Sequence, residues 1–258
     1  MDIADLPFAE WLVRRRDMLR RKYGQAEIAQ LVEGSVNVAC RMRGEEFYCD
    51  LILDKGFAKN LLHVITETVI MTYRFFAREF DLKEVFLANC SNVHIGPETY
   101  SEMCLDNDKR VMNETAKLID AERFGYLHHC DSCADRFIGL YSNIPHIKKL
   151  DGSYKTDILA AKEQMAGATF TAFFNPVTAL YMPLSELKEN IIKTCAAGAD
   201  ELLFANTDPA TSVQRLQEIL GCIAEAAAEA GVTPEITMLP FSEDEFEWAF
   251  PEYQGSRV

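Results

Sequence analysis

The feature that most constrains this chain is a repeated alternation of short apolar runs with longer helical stretches, each apolar run closing on polar residues. Residues 28–32, 85–90, 124–130, 147–151, 169–174 and 201–205 read as strands, and 235–239 as a last one. Between them, 57–80, 97–122, 134–142, 155–165, 183–197 and 208–230 read as helices, with apolar residues such as Leu61, Leu62, Ile65, Val69 and Ile70 recurring at helical spacing. Strand and helix in strict alternation predict a parallel sheet, because parallel neighbours need a long crossover between them. The run ends are Asn89-Cys90-Ser91, His128-His129-Cys130, Asp151-Gly152-Ser153, Asn175-Pro176 and Asn206-Thr207-Asp208. In a barrel these would line one face, the C-terminal face where such folds carry their sites.

The fold class expected is therefore α/β, a (β/α)8 barrel of the TIM type, with about six or seven of its strands visible and the N-terminal part incomplete. The 258 residues and 48% hydrophobic content are enough for one core. We read residues 1–258 as one barrel domain, with an N-terminal helix in 1–27 and an acidic, aromatic tail in 240–258. In that helix Trp11, Leu12, Met18 and Leu19 form an apolar side opposite Arg14, Arg15, Arg16, Arg20, Arg21 and Lys22, with Gly24 as the stop.

A net charge of −14 disfavours sequence-independent nucleic-acid binding, which needs a basic surface, and also an anionic membrane as partner. No apolar stretch reaches the ~20 residues of a membrane span, and the acidic start lacks the pattern of a signal peptide. The eight cysteines are scattered, so they read as reduced thiols in a cytoplasmic protein and not as a disulfide framework.

The chemistry concentrates in Leu127-His128-His129-Cys130-Asp131-Ser132-Cys133, which holds two of the five histidines and two of the cysteines. Imidazole and thiolate are the donors a borderline-soft metal such as zinc prefers. Strand alternation turns His129 away from His128, toward the helix layer. Cys130-x-x-Cys133 alone is a weak redox signal. Asp151 is a further strand-end candidate. Asp157 reads as a helix N-cap, with Thr156 as rival. Glu98, beside the helix-opening Pro97, reads as an acid favoured by the helix dipole. Cys40, Cys49, Cys104, Cys195 and Cys222 read as small buried or half-buried residues.

Taken in order, Ile95-Gly96-Pro97-Glu98-Thr99-Tyr100, Leu127-His128-His129-Cys130, Tyr141-x-x-Ile144-Pro145, Leu150-Asp151-Gly152, Asn175-Pro176 and Gly198-Ala199-Asp200-Glu201-Leu202 resemble the uroporphyrinogen decarboxylase superfamily. The chain looks closest to its cobalamin-associated, zinc-dependent methyltransferase branch. The stretch Gly34-Ser35-Val36-Asn37-Val38-Ala39 with Arg43-Gly44 is similar to a further family segment. The resemblance implies a (β/α)8 barrel and a zinc held by a His-x-Cys pair and a later cysteine. His128 and Cys130 match the pair; because Asn206 stands where the later cysteine is expected, the third ligand falls to a geometric substitute, Cys90 at another strand end, or His129 or Cys133.

The resemblance further implies methyl transfer between a corrinoid, carried on a separate protein, and a thiol or related acceptor. Asp151 and His94 are then the catalytic candidates, and Asn89, Asn175 and Asn206 the substrate contacts. The family's arginine and aspartate motifs for porphyrin carboxylates have no match, which disfavours porphyrinogen decarboxylation. The strands not visible are absent, replaced by the terminal segments or supplied by another chain, so a homodimer is expected. The rival reading is a non-catalytic or regulatory barrel that binds a small ligand or a partner.

Overall fold

A computed structural model of the chain describes residues 3–24, 27–119, 125–129, 134–204 and 212–233. Its contacts divide it into two units, residues 1–26 with 233–258, and residues 27–232. In the first unit, helix α1 (Pro7–Tyr23) opens on a proline and stops at Gly24. The glycine takes a left-handed φ of 78° and returns its N–H to the Arg20 carbonyl, as the residues predict.

The second unit is built on six parallel strands in sequential order: β1 (Glu27–Glu33), β2 (Asp81–Ala88), β3 (Tyr126–His129), β4 (Lys149–Ser153), β5 (Thr169–Phe174) and β6 (Glu201–Phe204). Among the described residues β1 and β6 are each paired on one side. All-parallel sequential order is that of a partial TIM-type sheet. The strand expected at 235–239, the tail 240–258, and Cys130, Cys133 and Asn206 lie outside the described residues.

The elements differ from the sequence reading in three instructive places. The stretch after β1 is helix α2 (Ser35–Arg43), and α3 (Glu46–Leu53) follows it before the long α4 (Lys55–Glu79). The single helix expected over 97–122 is two, α5 (Gly96–Met103) and α6 (Leu105–Thr115), because Cys104 between them leaves helical geometry at φ −124°. Strand β2 ends at Ala88, not at Cys90. The Asn89 N–H makes one more ladder bond, to the His128 carbonyl at 2.8 Å, and Asn89 then turns the chain into a 3-10 helix, Cys90–His94.

The remaining helices follow the reading more closely: α7 (Asp135–Tyr141), α8 (Ile158–Gln164), α10 (Leu184–Ala196) and α11 (Val213–Glu229), with a short extra helix α9 (Pro176–Tyr181). Asp157 caps α8 by accepting from the Ala160 N–H at 3.0 Å. Its rival Thr156 instead accepts from the Ala134 N–H at 3.1 Å.

The core lies between the sheet and the helices, where Leu87, Leu127, Leu150, Phe170 and Phe174 of the strands are buried with Leu62, Ile70, Tyr73, Tyr100 and Phe137. Tyr73 ties α4 to the sheet by a two-way bond. Its hydroxyl donates to the Phe86 carbonyl at 2.6 Å and accepts from the Phe86 N–H at 2.8 Å. Removing that hydroxyl strands two backbone groups of β2. Tyr73→Phe is therefore expected to cost about 2 kcal/mol in a urea titration; an unchanged midpoint would show that the bond contributes nothing.

Candidate functional site

Strand alternation sends His128 and His129 to opposite faces of β3. His129 goes to the helix layer, as expected. It is fully buried, its Nδ1 lies 2.7 Å from the Tyr141 hydroxyl, and its ring packs on Phe137. His128 faces the other way, between the rings of Phe86 and Phe173 at 5.5 and 5.4 Å.

Register then assembles the site. In the β3–β4 pairing His128 stands beside Asp151, and in the β2–β3 pairing Ala88 stands beside His128. The His128 Nδ1 is 2.6 Å from the Asp151 Oδ2. The Tyr126 hydroxyl, two residues back on the same face, donates to that oxygen at 2.7 Å. The thiol of Cys90, just past the end of β2, is hydrogen-bonded to the same imidazole. Since Nδ1 is occupied by the carboxylate, Nε2 is the nitrogen left for the sulfur.

The electrostatics follow from this geometry. Burial pulls the His128 pKa down, but the bonds to Asp151 and Cys90 and their charges outweigh it and raise it to about 9. With no metal bound, His128 is therefore an imidazolium at neutral pH, paired with a carboxylate that is wholly buried. Burial and the Asp151 charge push the Tyr126 phenol far above its ordinary range, so it remains a donor. The other Asp151 oxygen, Oδ1, is buried with no hydrogen-bond partner among the described residues.

Cys90 and His128 open onto a cavity of about 420 Å³, walled also by Ser91, Ala88, Glu33, Asn37, Cys40 and Arg41. Three of these residues lie on α2 at positions 37, 40 and 41, one helical face, and Glu33 ends β1. Arg41 and Glu33 pair there, Nε to Oε2 at 2.8 Å. Burial raises the pKa of the Cys40 thiol, with a bond to Tyr48 acting against it.

Of the residues expected from sequence, the structure brings His128, Asp151 and Cys90 together. It places Asn89, Asn175 and His94 elsewhere, and Cys130 and Asn206 lie outside the described residues. Asn89 is buried and its amide donates to the Asp108 Oδ2 at 2.7 Å. Asn175 caps α9 through the Thr178 N–H at 2.8 Å. His94 is exposed, edge-on to Tyr48 at 5.5 Å between centroids. The cavity wall from α2 and the Tyr126 hydroxyl are what sequence reasoning missed. The signal for the wall was present in the spacing of Asn37, Cys40 and Arg41, three polar or sulfur-bearing positions on one helical face just after the strand that ends at Glu33.

The same fold occurs in a methyltransferase. The solved structure of a methyltransferase from Methanosarcina mazei is similar with a TM-score of 0.60 and 16% sequence identity, over 83% of this chain and 63% of that one. At that identity the likeness is one of fold alone, and this chain spans 63% of the other's length. No family model matches the chain, and no curated protein sequence matches it.

The approach of an imidazole and a thiol at the cavity raises the question of a metal. Among the described residues, no group of three or more His, Cys, Asp or Glu side chains is arranged to hold one. Two soft donors, His128 and Cys90, do converge. His128 is also anchored through its second nitrogen by a carboxylate, as metal-ligating histidines usually are. The middle member of the expected set, Cys130, lies outside the described residues.

Proposed function

We propose that this chain is a group-transfer barrel that moves a methyl group between a corrinoid, carried on a partner protein, and a thiol or related acceptor. The observation that carries this reading is the linked set Cys90, His128 and Asp151 at three adjacent strand ends, opening onto a cavity of a size for a small acceptor. The fold likeness to a methyltransferase supports it. A zinc ion, when bound, would be held by His128, Cys90 and Cys130 and would supply acidification of a thiol to a nucleophilic thiolate. Asp151 and Tyr126 fix the imidazole plane, and Phe86 and Phe173 exclude water from its sides. None of the six described cysteines is paired in a disulfide, which favours a reducing, cytoplasmic setting. The sequential parallel order supports a closed eight-stranded barrel, completed by residues beyond the six strands or by a second copy in a homodimer.

The test uses protein purified without chelator. About one zinc per chain is expected. Free methylcobalamin and 2-mercaptoethanol then report transfer through loss of the cobalt–methyl absorbance. His128→Ala and Cys90→Ser are expected to lower that rate and the zinc content at least about tenfold. A metal-free protein with no transfer would overturn the reading in favour of a non-catalytic, ligand-binding barrel.

A further inference from the structure

The pair Cys90-Ser91, which enters the cavity, is bracketed by two buried asparagines, Asn89 and Asn92, at 1% and 0% exposure. Both are tied to groups in the helix layer. Asn89 is held at three points. Its N–H donates to the His128 carbonyl at 2.8 Å, its carbonyl accepts from the Asn92 N–H at 3.1 Å, and its amide donates to Asp108 on α6 at 2.7 Å. Asp108 accepts the Tyr100 hydroxyl on the same oxygen at 2.6 Å. The Asn92 amide in turn reaches the Tyr141 hydroxyl, at 3.4 Å. Tyr100 and Tyr141 meet edge to face, 5.6 Å between centroids, so the two anchors share one buried cluster.

A carboxylate buried this deeply is costly unless it is well bonded. Burial raises the Asp108 carboxyl to about 6 even though the Tyr100 and Asn89 bonds pull it down. A neutral side chain would fill the space at lower cost, so the acid is informative. Asp108 offers a single oxygen that orients two donors at once, and one of those donors belongs to the residue immediately before Cys90.

We infer that Asp108, acting through Asn89, is a positioning residue for Cys90: it fixes the turn that brings the thiol onto His128. Asp108 itself stands outside the cavity wall and touches no reacting group. Tyr100 orients Asp108. Asn92 with Tyr141 holds the far side of the same turn. Asn37 completes the hold from α2, its Oδ1 accepting the Ser91 N–H at 2.8 Å. The inference rests on the reading that Cys90 and His128 form the site.

Alkylation of each cysteine by iodoacetamide, followed by mass spectrometry on the full-length chain with chelator present, tests it without requiring any transfer activity. Cys49, which is exposed, serves as the internal reference. In Asp108→Ala the ratio of Cys90 to Cys49 rates is expected to fall about tenfold, as the thiol loses its fixed place against His128. Asp108→Asn keeps an acceptor oxygen and is expected to restore the ratio to within about twofold.

A merely structural role would instead expose Cys104 and Cys222 together with Cys90, with no rescue by Asn; that outcome overturns the inference, as does an unchanged ratio. Should Asp108→Ala fail to fold, Tyr100→Phe removes one of the two bonds and is expected to move the ratio in the same direction. His128→Ala separates the two readings. If it lowers the Cys90 ratio while the Asp108 and Tyr100 variants do not, only the positioning role falls. If His128→Ala leaves the ratio unchanged, the site itself is misassigned.

Discussion

Replacing Asp151 by Asn is expected to lower the pKa of His128 from about 9 to near or below its ordinary 6.5, and to destabilise the protein most below pH 6.5. Removing one member of a buried pair costs about 3–5 kcal/mol, because the remaining charge loses its partner. The pH dependence has a definite sign. A histidine whose folded pKa is raised contributes stability that is fully present below pH 6.5 and is lost as pH rises through 9. That contribution amounts to about 3 kcal/mol at 1.36 kcal/mol per pH unit.

Urea titrations of wild type and Asp151→Asn, both with chelator, therefore diverge most at pH 6 and converge toward pH 10. The ring protons of His128 followed by NMR across the same range give the pKa directly. An equal gap at pH 6 and pH 10, or a His128 that titrates near 6.5 in the wild type, would show that no imidazolium–carboxylate pair exists.

The second large effect is expected at Gly125, the residue before β3. Its φ is +75°, and a Cβ built there would lie 2.0 Å from the His146 carbonyl oxygen, a backbone atom that cannot swing aside. The Gly125 carbonyl meanwhile accepts from the N–H groups of Lys148 and Lys149, at 2.8 and 3.1 Å, so the segment is held from both sides. Gly125→Ala must combine left-handed strain, about 1–2 kcal/mol, with separation of two backbone segments. A total of at least about 3 kcal/mol is expected, with loss of the β3 position that carries His128.

Gly167→Ala is the matched control. Its φ is +85°, and nothing lies within 4 Å of the added carbon, so only the strain remains. Similar losses at the two positions in urea titrations would show that the close approach at His146 does not constrain the structure.

Much of the fold was legible along the chain. Alternation of strand and helix, the glycine stop of α1 and the Asp157 cap depend on neighbours a few residues apart, and periodicity and capping chemistry report those directly. The site was legible in part, since His128 and Asp151 stand out as polar residues closing apolar runs. Cys90 was visible too, but as a strand end. Its actual place, on a 3-10 turn beyond the strand, depends on Asn89 bonding to a strand 39 positions later.

The sequence by itself therefore determined the elements, their order and the polar character of the strand ends, because each of these is set by local periodicity and residue chemistry. Tertiary structure alone decided which ends touch. The parallel register sets His128 against Asp151, 23 residues apart. Packing of α2 over the end of β2 makes the cavity wall. The buried Asp108 of α6 reaches Asn89 across 19 residues. Such contacts link groups far apart in the chain, and their energy arises only once the intervening segments have folded and water has been excluded, so no local pattern encodes them.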